Sequence, residues 1–351
     1  MNSELSLLHR AVAAAERVLL AQTLHRPRLV ALLARRRAPI GSRTLDPQTA
    51  ALLVLSNVDP GVDVTRHPPA EARRKLIAEL SVVDERPPPG VRAVDAHAEG
   101  PAGPIPLRVY TPPDAGERGP AVVFFHGGGW VTGDLDTHDS FCRRLAHGTG
   151  FRVVAVHYRR APESPFPAAL DDATAAFRWV ARSAAKLGID PSRIALAGDS
   201  AGGNLTAAVA KRARRDEVRP ALQVILYGSA DATCSSPSHK EMGEGHFLSS
   251  RSIEWYLNHY LGSTDRKNPE VSPIFDPDLE GVAPALVYTA GFDPLRDDGL
   301  HYAEKLRSFG VKADYEEFPG LVHGFILMTG VLDEARRATN RIIHDIRRAL
   351  G

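Results

Sequence analysis

Cysteine is nearly absent: Cys142 and Cys234 are the two in 351 residues, far apart and outside any Cys-x-x-Cys spacing. Neither a disulfide framework nor a cysteine-based zinc site is indicated. Net charge is also nearly absent, with 43 Lys plus Arg against 42 Asp plus Glu. No overall field therefore draws nucleic acid or anionic lipid. No apolar run approaches the roughly 20 residues that span a bilayer. Glu16 and Arg17 interrupt Ala11–Leu20, where a secretory signal would need an unbroken apolar core. These absences lead to the expectation of a cytoplasmic protein with a small, neutral substrate, no nucleic-acid partner, no integral membrane segment and no cofactor. What is present is ordinary for a globular chain: 43% hydrophobic and 24% charged residues. The length suffices for one large core, or a main domain with a small accessory one.

Residues 1–36 carry a helical apolar period through Leu5, Leu8, Val12, Val18, Leu19, Leu29, Leu32 and Leu33, ending in Arg35–Arg37. One or two amphipathic helices packed on the body are expected, in preference to a membrane-surface anchor. Pro39, Gly41 and Pro47 break the pattern; further helices are predicted over Pro47–Asn57 and Pro69–Leu80. The run Pro87–Gly90 marks a boundary between an N-terminal helical part, 1–89, and a catalytic domain, 90–351.

Past that boundary, Val91–Ala98 and Ile105–Tyr110 read as a hairpin, and short apolar runs follow at Ala121–Phe125, Phe151–Tyr158, Ile194–Ala197, Gln223–Tyr227, Ala285–Ala290 and Ala313–Phe318. Helical patterns separate them. Buried strands alternating with helices predict an α/β fold, an eight-stranded, mostly parallel sheet with helices on both faces, whose ligands sit beyond the carboxyl ends of the strands. The 57 positions from 228 to 284 exceed one crossover. The stretch of about 230–260, with a helix at Ser252–Leu261, is expected to form a cap together with the N-terminal helices.

The chemistry concentrates at strand ends. Gly198-Asp199-Ser200-Ala201-Gly202 lies between the apolar run Ile194–Ala197 and an alanine-rich helical pattern. A Gly-x-Ser-x-Gly in that setting is a nucleophile elbow, holding Ser200 on a strained turn at the sheet edge. His126-Gly127-Gly128-Gly129-Trp130 follows another strand directly. Three glycines there let backbone amides approach a substrate oxygen, so Gly127, Gly128 and Gly129, with the amide of Ala201, are candidates for an oxyanion hole. Thr132 stands where a dinucleotide fingerprint would need glycine, and no P-loop lysine follows. His126 is read as a structural residue orienting the loop.

A serine nucleophile needs an imidazole, and the imidazole a carboxylate. Six histidines follow Ser200, and His323 alone lies in a glycine-flanked loop after the last strand, whereas His259, His301 and His344 fall in helical patterns. Asp293 directly follows the penultimate strand; Asp297 and Asp298 compete with it, although their place near a helix start suggests capping. The cluster His239, Glu241, Glu244 and His246 lacks helical metal-ligand spacing, so a solvated loop and no metal are expected there.

Together, His126–Trp130, Gly133–Asp139, Tyr158-Arg159, Ala161-Pro162-Glu163, Phe166–Asp172, Gly198–Asn204, Asp293–Arg296 and His323-Gly324-Phe325 resemble the bacterial hormone-sensitive-lipase family of carboxylesterases. The resemblance spans roughly residues 45–350. It implies an α/β-hydrolase fold, the triad Ser200, Asp293 and His323, a cap built from N-terminal helices and the insertion after the sixth strand, and a homodimer. It implies ester hydrolysis, and a cap built of Leu, Val, Trp and Tyr suggests an apolar pocket for short- to medium-chain acyl groups; an amide, lactone or acetylated substrate would use the same groups. A non-catalytic receptor on this fold is expected to have replaced a triad member, and none is replaced. The sequence departs from the family pattern at Tyr227-Gly228-Ser229 and Asp297-Asp298-Gly299, and residues 1–44 look like an extension.

Overall fold

The computed structural model describes residues 16, 18–35, 40–41, 43–56 and 63–351. Leu5, Leu8 and Val12, the arginines at 17, 36 and 37, Pro39 and Asn57 lie outside the described residues. Eight strands form one sheet: β1 (Arg92–Gly100), β2 (Gly103–Thr111), β3 (Gly119–Phe125), β4 (Arg152–Val156), β5 (Ile189–Asp199), β6 (Leu222–Leu226), β7 (Ala285–Phe292) and β8 (Ala313–Val322). Their order is β1-β2-β4-β3-β5-β6-β7-β8. β1 and β2 form the predicted hairpin, β2 meets β4 antiparallel, and every later pairing is parallel.

All eight predicted strands are present, with some ends displaced. β4 stops at Val156, two residues short of the predicted Tyr158, although the next amide, His157, still donates to Pro106 O of β2 (2.9 Å). β8 runs four residues past Phe318 to Val322, pairing with Phe292 beyond an irregularity in β7.

Alternation along the central strands sends side chains to two layers of helices. Val122 and Phe124 of β3 join one apolar cluster with the helices Asp139–Thr149 (α4) and Asp333–Leu350 (α9), through Phe141, Leu145, Ile342 and Ile346. Val123 and Phe125 point the other way, onto Ala168–Arg182 (α5) and Ala201–Arg212 (α6). The helix Arg296–Ser308 (α8) covers β7 through Tyr302, Ala303 and Leu306. Burial of this kind gains about 25 cal/mol per Å² of apolar surface.

Three N-terminal helices start at prolines: Pro27–Ala34 (α1), Pro47–Ser56 (α2) and Pro69–Val83 (α3). Proline at the first helical position loses no hydrogen bond. It also disfavours the helical region for the residue before it, and Arg26 is extended, with φ −94° and ψ 100°. The predicted period over 1–36 is therefore broken at Arg26. These helices have no core of their own. Leu24, Val30 and Ala50–Leu53 belong to the same cluster as β3 and α9, the Asp46 amide donates to Gly320 O (3.0 Å), and Arg43 forms a two-pronged pair with Glu317 (2.8 and 3.0 Å).

The chain runs from β3 to β4 on one side and turns to β5 on the other, so a crevice opens past the carboxyl ends of β3 and β5, where strand order reverses. Above it lies the insertion between β6 and β7, with the helix Ser250–Leu261 (α7). Among the described residues no helix is long and apolar enough to cross a membrane.

Candidate active site

Ser200 sits between β5 and α6 with φ 54° and ψ −119°, a conformation unfavourable for any side-chain-bearing residue. The surroundings enforce it. A Cβ on Gly202 would lie 1.9 Å from Phe125 O, and one on Gly198 would lie 2.2 Å from Gly202 O. The Ser200 amide donates to Leu226 O (2.9 Å), pinning the turn to β6. Gly202→Ala is therefore expected to destabilise the protein by about 1–3 kcal/mol through forced backbone movement, read as a lowered midpoint in urea unfolding.

His323, at the end of β8, brings Nε2 to 2.9 Å from Ser200 Oγ and Nδ1 to 2.8 Å from Asp293 Oδ2. Asp293 is fully buried, and its other oxygen accepts the Leu295 amide (2.8 Å). Tyr227 lies edge-on to the imidazole, with ring centroids 4.8 Å apart. Such a relay can move a proton from a hydroxyl to an imidazole whose cationic form is stabilised by a buried carboxylate.

The glycine loop after β3 faces this relay. Gly128 and Gly129 have φ 109° and 58°, and among the described residues the amides of Gly128, Gly129 and Ala201 donate to no other group. Gly127 corrects the sequence expectation. Its amide donates to Asp199 Oδ1 (2.7 Å), so it is turned away from the crevice and cannot serve as an oxyanion donor. Its lack of a side chain serves close approach instead, since a Cβ would lie 2.4 Å from Asp199 Oδ2.

Asp199 is thus the strut between elbow and loop. It also pairs with the buried His138 (3.1 Å) and accepts the Tyr227 hydroxyl (3.4 Å). Burial works against a charge on His138, but Asp199 outweighs it and raises the pKa. His126 goes the other way, held well below its usual value by burial and by the charge of His138. As a neutral ring it bonds to Gly127 O (2.8 Å) and stacks on Tyr158 at 4.2 Å, the predicted structural role. Nothing in the residue spacing marks His138 as a partner of Asp199; its one signal is its place in the Gly133–Asp139 block.

Asp297 and Asp298 do not cap their own helix. Asp298 is fully buried and accepts the amides of Ala230 and Asp231 (both 3.0 Å) and His239 Nε2 (3.1 Å). Asp297 accepts Arg296 Nε (2.7 Å) and the Ser238 amide (2.9 Å). Both carboxylates face the insertion, and the segment expected to be a solvated loop is drawn inward: His239 and His246 are buried. Among the described residues no group of three His, Cys, Asp or Glu is placed to hold a metal ion.

A cavity of about 140 Å³ adjoins Ser200, lined by Leu76 and Leu80 of α3, Leu248, Ile253 and Leu257 of the insertion, and Met328 after β8. α7 rests directly on the glycine loop. Trp130 stacks on Tyr260 with centroids 4.4 Å apart and planes 3° from parallel. The Tyr256 ring occupies the place where a Gly129 side chain would go, 2.1 Å from an added Cβ.

An eight-stranded sheet with a serine elbow after its fifth strand defines an α/β hydrolase. A profile of the alpha/beta hydrolase fold matches residues 122–327. The carboxylic ester hydrolase LipN of Mycobacterium tuberculosis is 40% identical over 330 residues, 91% of this chain and 87% of that one. An ethyl acetate hydrolase from Pseudomonas putida is 39% identical over 251 residues, 70% and 79% of the two chains. Among solved structures, the ester-hydrolase EH1AB1 from the metagenome of Lake Arreo superposes with a TM-score of 0.84 at 36% identity, covering 87% of this chain and 99% of that one. The chain belongs to the alpha/beta hydrolase fold family, in the bacterial hormone-sensitive-lipase branch of carboxylesterases.

Proposed function

We propose that this protein hydrolyses carboxylic esters with short- to medium-chain acyl groups through an acyl-enzyme intermediate, with Ser200 as nucleophile. The observation that carries the reading is the continuous relay Ser200–His323–Asp293, at 2.9 and 2.8 Å, beside three uncommitted amides. His323 takes the Ser200 proton as Oγ attacks the ester carbonyl. The amides of Gly128, Gly129 and Ala201 receive the oxyanion. His323 then gives its proton to the leaving alcohol, and water repeats the sequence to free the acid. Asp293 holds the imidazole with Nε2 open to accept.

The cavity sets the substrate. Its lining is mostly aliphatic and aromatic, and its volume is close to that of an engineered cavity of about 150 Å³ that binds one benzene. The relation to an ethyl acetate hydrolase supports small acyl groups. Over a series of p-nitrophenyl esters, kcat/KM is expected to peak at acyl chains of up to about six carbons. It should drop by roughly tenfold or more once the chain outgrows the cavity. A profile still rising at long acyl chains would overturn this reading.

The two-part lining, from α3 and from the insertion, supports a cap made of the helices within 1–89 and the stretch of about 230–260, over a catalytic domain at 90–351. Both cysteines are unpaired, which supports a cytoplasmic location. The family resemblance supports a homodimer, which light scattering on the purified protein reads directly.

A further inference from the structure

The three uncommitted amides are aimed by whatever holds the far side of each peptide. A peptide unit is planar and trans, so its C=O and the N–H that follows point in opposite directions. Pinning a carbonyl behind the loop therefore sets the amide in front of it. Ser200 O, which shares a peptide with the Ala201 amide, accepts the amides of Asn204 (3.2 Å) and Ser229 (3.4 Å). Gly127 O, which shares one with the Gly128 amide, is bonded to His126 Nδ1 (2.8 Å). Gly128 O, which shares one with the Gly129 amide, accepts the amides of Val131 (3.1 Å) and Thr132 (2.8 Å) and also the Thr132 hydroxyl (2.9 Å).

Thr132 ties this last peptide to the insertion. Its hydroxyl has one proton, and a carbonyl oxygen can only accept, so that proton is committed to Gly128 O. In the 3.3 Å contact between Thr132 Oγ1 and the Tyr256 hydroxyl, tyrosine is therefore the donor. Burial pushes the pKa of that hydroxyl up to about 12, so it is protonated at neutral pH. The series runs from Tyr256 O–H through Thr132 O–H and Gly128 C=O to Gly129 N–H. Its first link, at 3.3 Å, is looser than the usual hydroxyl pair at about 2.7–2.8 Å. Hydrogen bonds in series polarise one another. As negative charge grows before the Gly129 amide, Gly128 O becomes a stronger acceptor and both hydroxyl links tighten. An interaction that strengthens in this way lowers the barrier more than it binds the substrate.

The geometry points to Tyr256 and Thr132 as positioning residues for ester hydrolysis: through Gly128 O they hold the Gly129 amide to the oxyanion, so that α7 completes the hole from the insertion. The inference rests on the Ser200 reaction proposed above. Each residue acts through its neighbour and not on the substrate. The Tyr256 ring has a separate task, filling the space over Gly129, and removing the hydroxyl alone leaves that seat in place. A latch that only seats the insertion would move stability or KM and leave kcat alone.

The test measures kcat and KM for p-nitrophenyl butyrate, together with inhibition by n-butylboronic acid, whose adduct with Ser200 carries the negative charge of the intermediate. Tyr256→Phe is expected to lower kcat by about three- to tenfold, part of the roughly 10²–10³ lost with a whole donor, and to raise the inhibition constant by the same factor. KM should stay within about twofold, with the urea midpoint unchanged. Thr132→Val should lower kcat by about tenfold or more, and Thr132→Ser should recover most of that loss. Adding Tyr256→Phe to Thr132→Val should cost little more, because the tyrosine works through the threonine. An unchanged kcat in folded Tyr256→Phe, a loss confined to KM, or fully additive effects of the two changes overturns the inference. If Tyr256→Phe fails to fold, equal rates in Thr132→Val and Thr132→Ser overturn it. An unaltered protein that neither hydrolyses the ester nor binds the boronic acid overturns the Ser200 reaction and this inference together; where the unaltered protein does both, failure of the variants falls on this inference alone.

Discussion

Replacing Ser200 with alanine is expected to lower kcat for a p-nitrophenyl ester by about 10⁶-fold while leaving KM within a few fold. Without Oγ there is no acyl-enzyme, and what survives is the contribution of oxyanion stabilisation and substrate positioning, roughly 10³–10⁴ over water. The fold should be untouched. The Ser200 hydroxyl bonds to His323, while the turn is held by the Ser200 amide on Leu226 and by glycine packing, none of which an alanine disturbs. Circular dichroism and unfolding midpoints identical to the unaltered protein would assign the loss to chemistry. A Ser200→Ala protein that kept more than a small fraction of the rate would remove Ser200 from the reaction.

Asp293→Asn should be nearly as damaging, at about 10⁴-fold in kcat. The carboxylate accepts from His323 Nδ1 at 2.8 Å. An amide nitrogen in its place would donate to Nδ1, drive the ring proton to Nε2 and leave no lone pair to receive the Ser200 proton. The parallel change Asp298→Asn separates the two acidic positions. Asp298 accepts two insertion amides and His239, so its loss should cost stability, about 1–3 kcal/mol, and leave kcat within a few fold in the protein that remains folded. The reverse outcome, with Asp298→Asn catalytically dead and Asp293→Asn active, would exchange their roles.

Those two aspartates also show where sequence reasoning reached its limit. Asp293 is legible because it immediately follows an apolar strand, which fixes its place at the sheet edge. Asp298 lies five positions on, in the first turn of α8, where local rules suggest capping; its partners, Ala230, Asp231 and His239, are about 60 to 70 positions away and leave no local mark. Gly127 repeats the lesson at smaller scale. Three consecutive glycines announce amides near a substrate, but which amide faces it depends on Asp199, 72 positions later. The central strands β3, β4, β6 and β7, by contrast, are legible because burial on both faces requires unbroken apolar runs. The insertion was harder to read. Its histidines look polar and solvated in sequence, but Asp298 draws His239 inward and His246 packs against Phe292, contacts that leave no local mark.

The seating of α7 on the glycine loop bears on any attempt to re-engineer selectivity. Because the Tyr256 ring fills the space left by Gly129 and Tyr260 lies flat on Trp130, the roof of the pocket and the anion-receiving amides are fitted to each other as a lock plate is to its bolt. Grafting a relative's insertion onto this body would have to import positions 129, 130, 256 and 260 as a matched set. A chimera that kept the local loop under a foreign helix would exchange its preference for acyl length and its turnover at the same stroke.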